Sequence, residues 1–116
     1  MKYLCIVYYE ERALDTLTKG DYDALTTETR TYNEQLRQAG HLVAAHALQP
    51  ARTATSVRIR DGRPTTVDGP YVETKEQVGG FILIDARDLN EAIQLATNFP
   101  PTRLGGIEVR PIRELP

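Results

Sequence analysis

The sequence holds a single cysteine, Cys5, so no disulfide can form within the chain. A disulfide-stapled scaffold is excluded. Cys5 lies inside an apolar run, which reads as a small buried hydrophobe in a reducing compartment, and the cytoplasm is the expected location. A basic excess is also missing: 14 Lys and Arg stand against 16 Asp and Glu, a net charge of -2. That is far from the electrostatic footprint of a phosphate-backbone binder, so nucleic acid is not an expected partner. No apolar stretch approaches the roughly 18 to 20 residues of a membrane helix, and the first residues read as a strand rather than a leader. No membrane association is expected.

Chemical fingerprints are equally scarce. There is no GxGxxG after a strand, no GxxxxGK[ST] and no GxSxG elbow. Neither histidine has an HxH or HxxxH partner, and CxxC is impossible with one cysteine. No cofactor and no metal are therefore expected. Repeats at solenoid periods, low-complexity tracts and linkers are absent too. At 116 residues and 13.0 kDa, with 41% hydrophobic residues, the chain is sized for one domain spanning 1–116 with a core of its own.

What is present reads as alternating short elements. KYLCIVYY at 2–9 is β-branched and aromatic, a buried strand closed by Glu10, Glu11 and Arg12. Tyr22, Leu25, Thr29, Tyr32, Leu36 and Ala39 then recur as one stripe of a long helix, with Thr18 or Asp21 as cap and Gly40 as stop. Strands follow at 41–48 and 53–60, and Asp61-Gly62 turns the chain into a short strand at 64–67. Asp68-Gly69-Pro70 turns it again. One helical turn is expected at 74–78, a buried strand at 81–85 (FILID), a helix opened by Asp88 and Glu91 that stops before Pro100, and a last strand at 107–112.

This order is a βαββαβ plan with an extra β-hairpin, an α+β fold in which two helices cover one sheet face. The other face is left without a cover. A second copy is the economical way to protect it, so a homodimer is expected.

The run DGPYVETKEQVGGF at 68–81 carries five ionisable side chains, Asp68, Tyr71, Glu73, Lys75 and Glu76, between two glycine turns. It reads either as a solvated connector or as a functional loop. Gly79-Gly80 reads as a close backbone approach or a bulge. His41, after the helix stop, is expected on the last carbonyls or in solvent. His46 is placed on a strand face with Leu42, Ala44 and Leu48, as a hydrogen-bonded surface group or a polar group in a cleft. Arg58 and Arg60 share a strand face that suits an anion, or solvent and a dimer contact. Tyr3 and Tyr9 share one face of the first strand, Tyr8 takes the other, and Tyr8 or Tyr9 is available to line a pocket.

The 68–81 run resembles the signature of the DGPF subgroup of the YCII-related family, with Tyr71 in place of the usual phenylalanine. KYLCIVYYEE at the start, AGHLVAAHALQPARTATSVRIRDGR at 39–63 and IEVRPI near the end are similar to that subgroup in order and spacing. The resemblance implies a ferredoxin-like α+β fold that dimerises into an α/β barrel. It also implies an association with extracytoplasmic-function sigma factors, and in the wider family a His-Asp dyad and a dehydrochlorinase acting on a chlorinated hydroxyhydroquinone. The dyad does not carry over: DYDALTTET holds no histidine, and Gln38 stands where the family has aspartate.

The expectation is a small organic ligand bound between the sheet and the DGPY loop, with Tyr8, Arg58, Tyr71, Lys75 and Glu76 as binding residues. If there is catalysis, it is cofactor-independent acid-base chemistry by Asp68, His46 or Glu73. The alternative is a non-catalytic accessory or regulatory module of sigma-factor signalling.

Overall fold

A computed structural model describes all 116 residues, Met1–Pro116. Four strands make the main antiparallel sheet: β1 (Lys2–Tyr9), β2 (Leu42–Ala47), β5 (Gln77–Asp85) and β6 (Gly106–Pro111), in the order β2-β5-β1-β6. Helices α1 (Glu11–Asp15), α2 (Lys19–Gln38) and α3 (Leu89–Thr97) complete the body, and β3 (Thr55–Arg60) pairs only with β4 (Arg63–Asp68). This is a ferredoxin-like α+β fold with a hairpin inserted between β2 and β5. The sheet is open at both edge strands, so the single chain closes no barrel.

The core follows the period-2 pattern of the two central strands. Tyr3, Cys5 and Val7 of β1 and Ile82 and Ile84 of β5 are almost fully buried under the helices, together with Leu36, Ala92, Ala96 and Phe99. The Tyr32 hydroxyl donates to the Leu95 carbonyl at 2.7 Å, tying α2 to α3.

Local chemistry sets the boundaries. Thr18 caps α2 by accepting from the Asp21 amide at 3.0 Å. After Ala39, the Gly40 amide donates to the Arg37 carbonyl and His41 to that of Leu36, a paired motif that ends the helix. Asp88 caps α3 through the Glu91 amide at 2.9 Å, while the Glu91 carboxylate reaches back to the Arg87 amide, one residue before the position a capping box uses. Asp61 (φ 51°) and Gly62 (φ 74°) are both left-handed, which is the turn that matches strand twist in a two-residue hairpin.

Four features differ from the sequence-based expectation. Glu11–Asp15, where only the charged end of β1 is expected, is a short helix, and a 3-10 turn at Ala51–Thr53 precedes β3. The two are tied together, because both Glu11 carboxylate oxygens accept the Ala51 amide at 3.1 Å, a long-range bond that no local pattern announces. No helical turn forms at 74–78. Instead Gln77 donates its side-chain amide to the Val72 and Thr74 carbonyls at 3.0 and 3.1 Å, and β5 begins at Gln77 in register with Tyr9. Beyond α3 the chain continues as a 3-10 turn at Pro100–Leu104, which tolerates the two prolines that an α-helix interior would not.

The hairpin stands off the body. Its residues form a separate two-stranded sheet, and the radius of gyration is 16.0 Å, against about 13 Å for a compact chain of this length. Val57 (56% exposed), Ile59 (72%) and Val67 (60%) on it face solvent.

Candidate functional site

The face of the sheet away from the helices carries Leu4, Ile6 and Tyr8 of β1 opposite Leu83, Phe81 and Val78 of β5. All six are at least partly solvent-accessible. The register explains how Tyr8 and Val78 come together: Val7 pairs with Gly80 and Tyr8 with Val78, so Gly79 is an extra residue, a bulge in β5. Both readings of the Gly79-Gly80 pair hold. A Cβ on residue 79 would fall within the Tyr9 ring, and one on residue 80 would lie 2.8 Å from the His46 carbonyl oxygen.

Next to Tyr8 and Val78 a cleft of about 640 Å³ opens between the sheet, the Gln49–Ala54 segment and the 70–77 loop. Leu48, Pro50, Pro70 and Val72 supply apolar wall, and Tyr8, Gln49, Thr53, Tyr71, Thr74, Glu76 and Gln77 supply polar groups. Its size is in the range of small-molecule sites. Glu76 is the one carboxylate among the lining residues.

The loop is held in place by specific contacts. Gly69 has φ +121°, its amide donates to the Ala54 carbonyl at 2.7 Å, and its own carbonyl accepts the Ser56 hydroxyl at 2.8 Å. Tyr71 lies on the hairpin, where the Arg58 guanidinium sits 4.1 Å from the ring centroid and an Arg58 N–H donates to the phenol oxygen at 3.0 Å. The second anchor is Lys75, 3.4 Å from Glu10, which also pairs with Arg12 at 3.1 Å.

The sequence-nominated residues therefore separate. Tyr8, Tyr71 and Glu76 line the cleft; Arg58 acts on it through Tyr71, and Lys75 is engaged by Glu10 and is not among the lining residues. Asp68 ends β4 opposite Thr55, exposed, and Glu73 is an exposed loop residue whose carboxylate would be 4.0 Å from a Cβ on residue 69. His46 is on β2, beside Phe81 at 5.7 Å between ring centroids, and does not line the cleft. A bulge at Val43 also changes its neighbours. Leu42 pairs with Ile84 on the helix side, whereas Ala44 and His46 pair with Leu83 and Phe81 on the open side. His41 places Nδ1 2.8 Å from the Asp85 carbonyl oxygen.

Sequence reading did not nominate Leu48, Pro50, Val72, Gln77 or Val78. Apart from Gln77 they are apolar, and their shared wall depends on the Gly79 bulge and the Glu11–Ala51 bond, which act across 40 residues or more of chain. No three His, Cys, Asp or Glu side chains come together as a metal-ligating cluster, and no helix is long and apolar enough to cross a membrane.

Comparison with known proteins gives two findings. The model of the YCII-related domain matches residues 1–116. An uncharacterised protein of Rhizobium meliloti (strain 1021) is 32% identical over 115 residues, covering 97% of this chain and 92% of that protein.

Proposed function

The chain belongs to the YCII-related family, and on that footing we propose that it is a homodimer that binds a small, largely apolar organic molecule in the cleft under the 70–77 loop. The observation that carries the reading is the cleft of about 640 Å³, which has two phenols, one carboxylate, two amides and two threonine hydroxyls beside its apolar walls. That lining suits a flat ring or short carbonyl compound with one or two polar substituents, seated against Tyr8 and Tyr71. The run at 68–81 supports assignment to the DGPF subgroup, and an unpaired, buried Cys5 supports a cytoplasmic setting.

Two features support the homodimer. The outer sheet face exposes Ile6, Phe81 and Leu83 in part, and the hairpin leaves Val57 and Ile59 in solvent. An isolated two-stranded hairpin is only marginally stable, so a second copy packed on the sheet and hairpin stabilises both.

Binding is better supported than catalysis. Asp68, Glu73 and His46 stand outside the cleft lining, leaving Glu76, with the Tyr8 and Tyr71 phenols, to handle a proton there. That distribution favours the second reading, a ligand-binding accessory or regulatory module, over a lyase or isomerase.

Thermal-shift screening of phenolic and small carbonyl compounds, followed by assay of each binder for turnover, tests the proposal. Tyr71→Ala and Glu76→Gln should each abolish binding while the fold persists. Binding unaffected by both changes, or a monomer in sedimentation equilibrium at micromolar concentration, would remove the respective half of it.

A further inference from the structure

The β3–β4 hairpin has two free edges, and they are not alike. In an antiparallel pair, opposed residues alternate between those that exchange both backbone bonds and those whose N–H and C=O point away from the partner strand. The Gly69 amide donates to the Ala54 carbonyl at 2.7 Å, so Ala54 and Gly69 belong to the bonded set, and by alternation so do Ser56 with Val67, Arg58 with Thr65 and Arg60 with Arg63. Thr55, Val57 and Ile59 therefore turn their amides and carbonyls to the outer edge of β3, and Pro64, Thr66 and Asp68 turn theirs to the outer edge of β4.

An open strand edge recruits further strands unless it is blunted, and proline is one of the usual blunting devices. β4 is blunted, since Pro64 stands at an outward position and has no N–H to offer. The β3 edge is not. Its three outward residues are β-branched and exposed, and none of them takes part in a backbone bond outside the hairpin ladder. Its arginines occupy the inward-bonded positions, and Arg58 is turned onto Tyr71.

A second copy of β3 fits this edge in one register. Paired antiparallel about a two-fold axis at Ser56, the strands leave Ile59 without a partner. About Arg58 they set the two Arg58 side chains directly opposite, a like-charge pair that destabilises a sheet. About Val57 every outward group is met: Val57 faces the partner's Val57, Thr55 faces the partner's Ile59, and Arg58 lies across from the partner's Ser56. We propose that β3 is a self-association edge through which two copies of this chain join in register about Val57, with about six inter-chain backbone hydrogen bonds, two per bonded pair. The inference rests on the homodimer proposed above and specifies how its hairpins meet. It also reaches the cleft. The two-stranded hairpin is marginal alone, whereas in the four-stranded sheet β4-β3-β3-β4 it is a firm support for Arg58, which holds Tyr71 in the cleft wall.

Disulfide trapping and sedimentation equilibrium test the contact. Val57→Cys should form an inter-chain disulfide under mild oxidation, because bonded antiparallel pairs hold their Cα atoms about 5.5 Å apart, within disulfide reach. Ser56→Cys should cross-link about tenfold more slowly, since the two copies of residue 56 stand on a diagonal at roughly 7–8 Å. Cys5 is buried and does not compete. Val57→Pro removes an outward amide, as Pro64 already does on β4, and should weaken the dimer by roughly tenfold or more; Val57→Thr keeps that amide and should leave it within about twofold. A native dimer that Val57→Pro does not weaken, or in which Ser56→Cys cross-links as fast as Val57→Cys, overturns the edge contact and leaves the homodimer standing. A native monomer at micromolar concentration removes both. Should Val57→Pro fail to fold, the two cysteine variants decide.

Discussion

Tyr9 and residue 79 occupy one volume: the Tyr9 ring lies where a Cβ on residue 79 would go, so the packing exists only because residue 79 is glycine. The same residue is the bulge that brings Val78 opposite Tyr8. One glycine thus acts on both sheet faces, since Tyr8 lines the cleft on the open side and Tyr9 packs against the core under the helices.

Gly79→Ala should destabilise the protein by about 1–3 kcal/mol through overpacking against that ring. Urea unfolding measures the cost, and in a Tyr9→Ala background it should fall well below the single-variant value. An equal cost in both backgrounds would show that the ring is not the cause.

Gly69→Val should cost about 1 kcal/mol or more, because φ +121° is closed to a β-branched residue. The bonds from Gly69 to Ala54 and from Ser56 to Gly69 would be strained with it. A melting temperature equal to the native one would contradict this account of the loop.

Asp88 gives a pH test. Its pKa is held below the ordinary aspartate value by the Glu91 amide, with Arg87 adding to the effect. A depressed folded pKa means that the stabilisation is complete above the unfolded value of about 3.9 and is lost as pH falls through the folded one. The stability difference between the native protein and Asp88→Ala should therefore shrink as pH drops below about 4. A constant difference from neutral to strongly acidic pH would mean that the cap acts without its charge.

Burial pushes the Cys5 thiol up to about 11. The raised folded value favours the neutral thiol, so this contribution to stability is whole below the unfolded pKa of about 8.5 and declines as pH rises from there towards the folded value. Cys5 should resist alkylation at neutral pH in the native state and react at the rate of unfolding. Rapid stoichiometric labelling of folded protein would disprove its enclosure.

Element order was legible because each signal is local. A cap at Thr18 or Asp21, the stop at Gly40, the Asp61-Gly62 turn and the alternation of β1 depend on neighbours a few residues away, and the helix stripe identified the side facing the sheet. The stripe was less informative about depth: Leu36 is buried, Leu25 is only partly covered and Tyr22 is exposed. The His46 neighbourhood was misread because the Val43 bulge inverts the pleat, and a single inserted residue leaves no mark in an alanine-rich strand.

The sequence by itself determined the α+β order, the hairpin and the apolar face of each central strand, since short-range sterics, capping and periodicity act within a few residues. Which side chains share a cavity was decided only by the tertiary structure. Glu11 meets Ala51, Arg58 meets Tyr71, and Tyr9 closes over Gly79. The physical reason is that cavities are made by contacts between segments far apart in the chain, set by register and packing, and no local propensity encodes them.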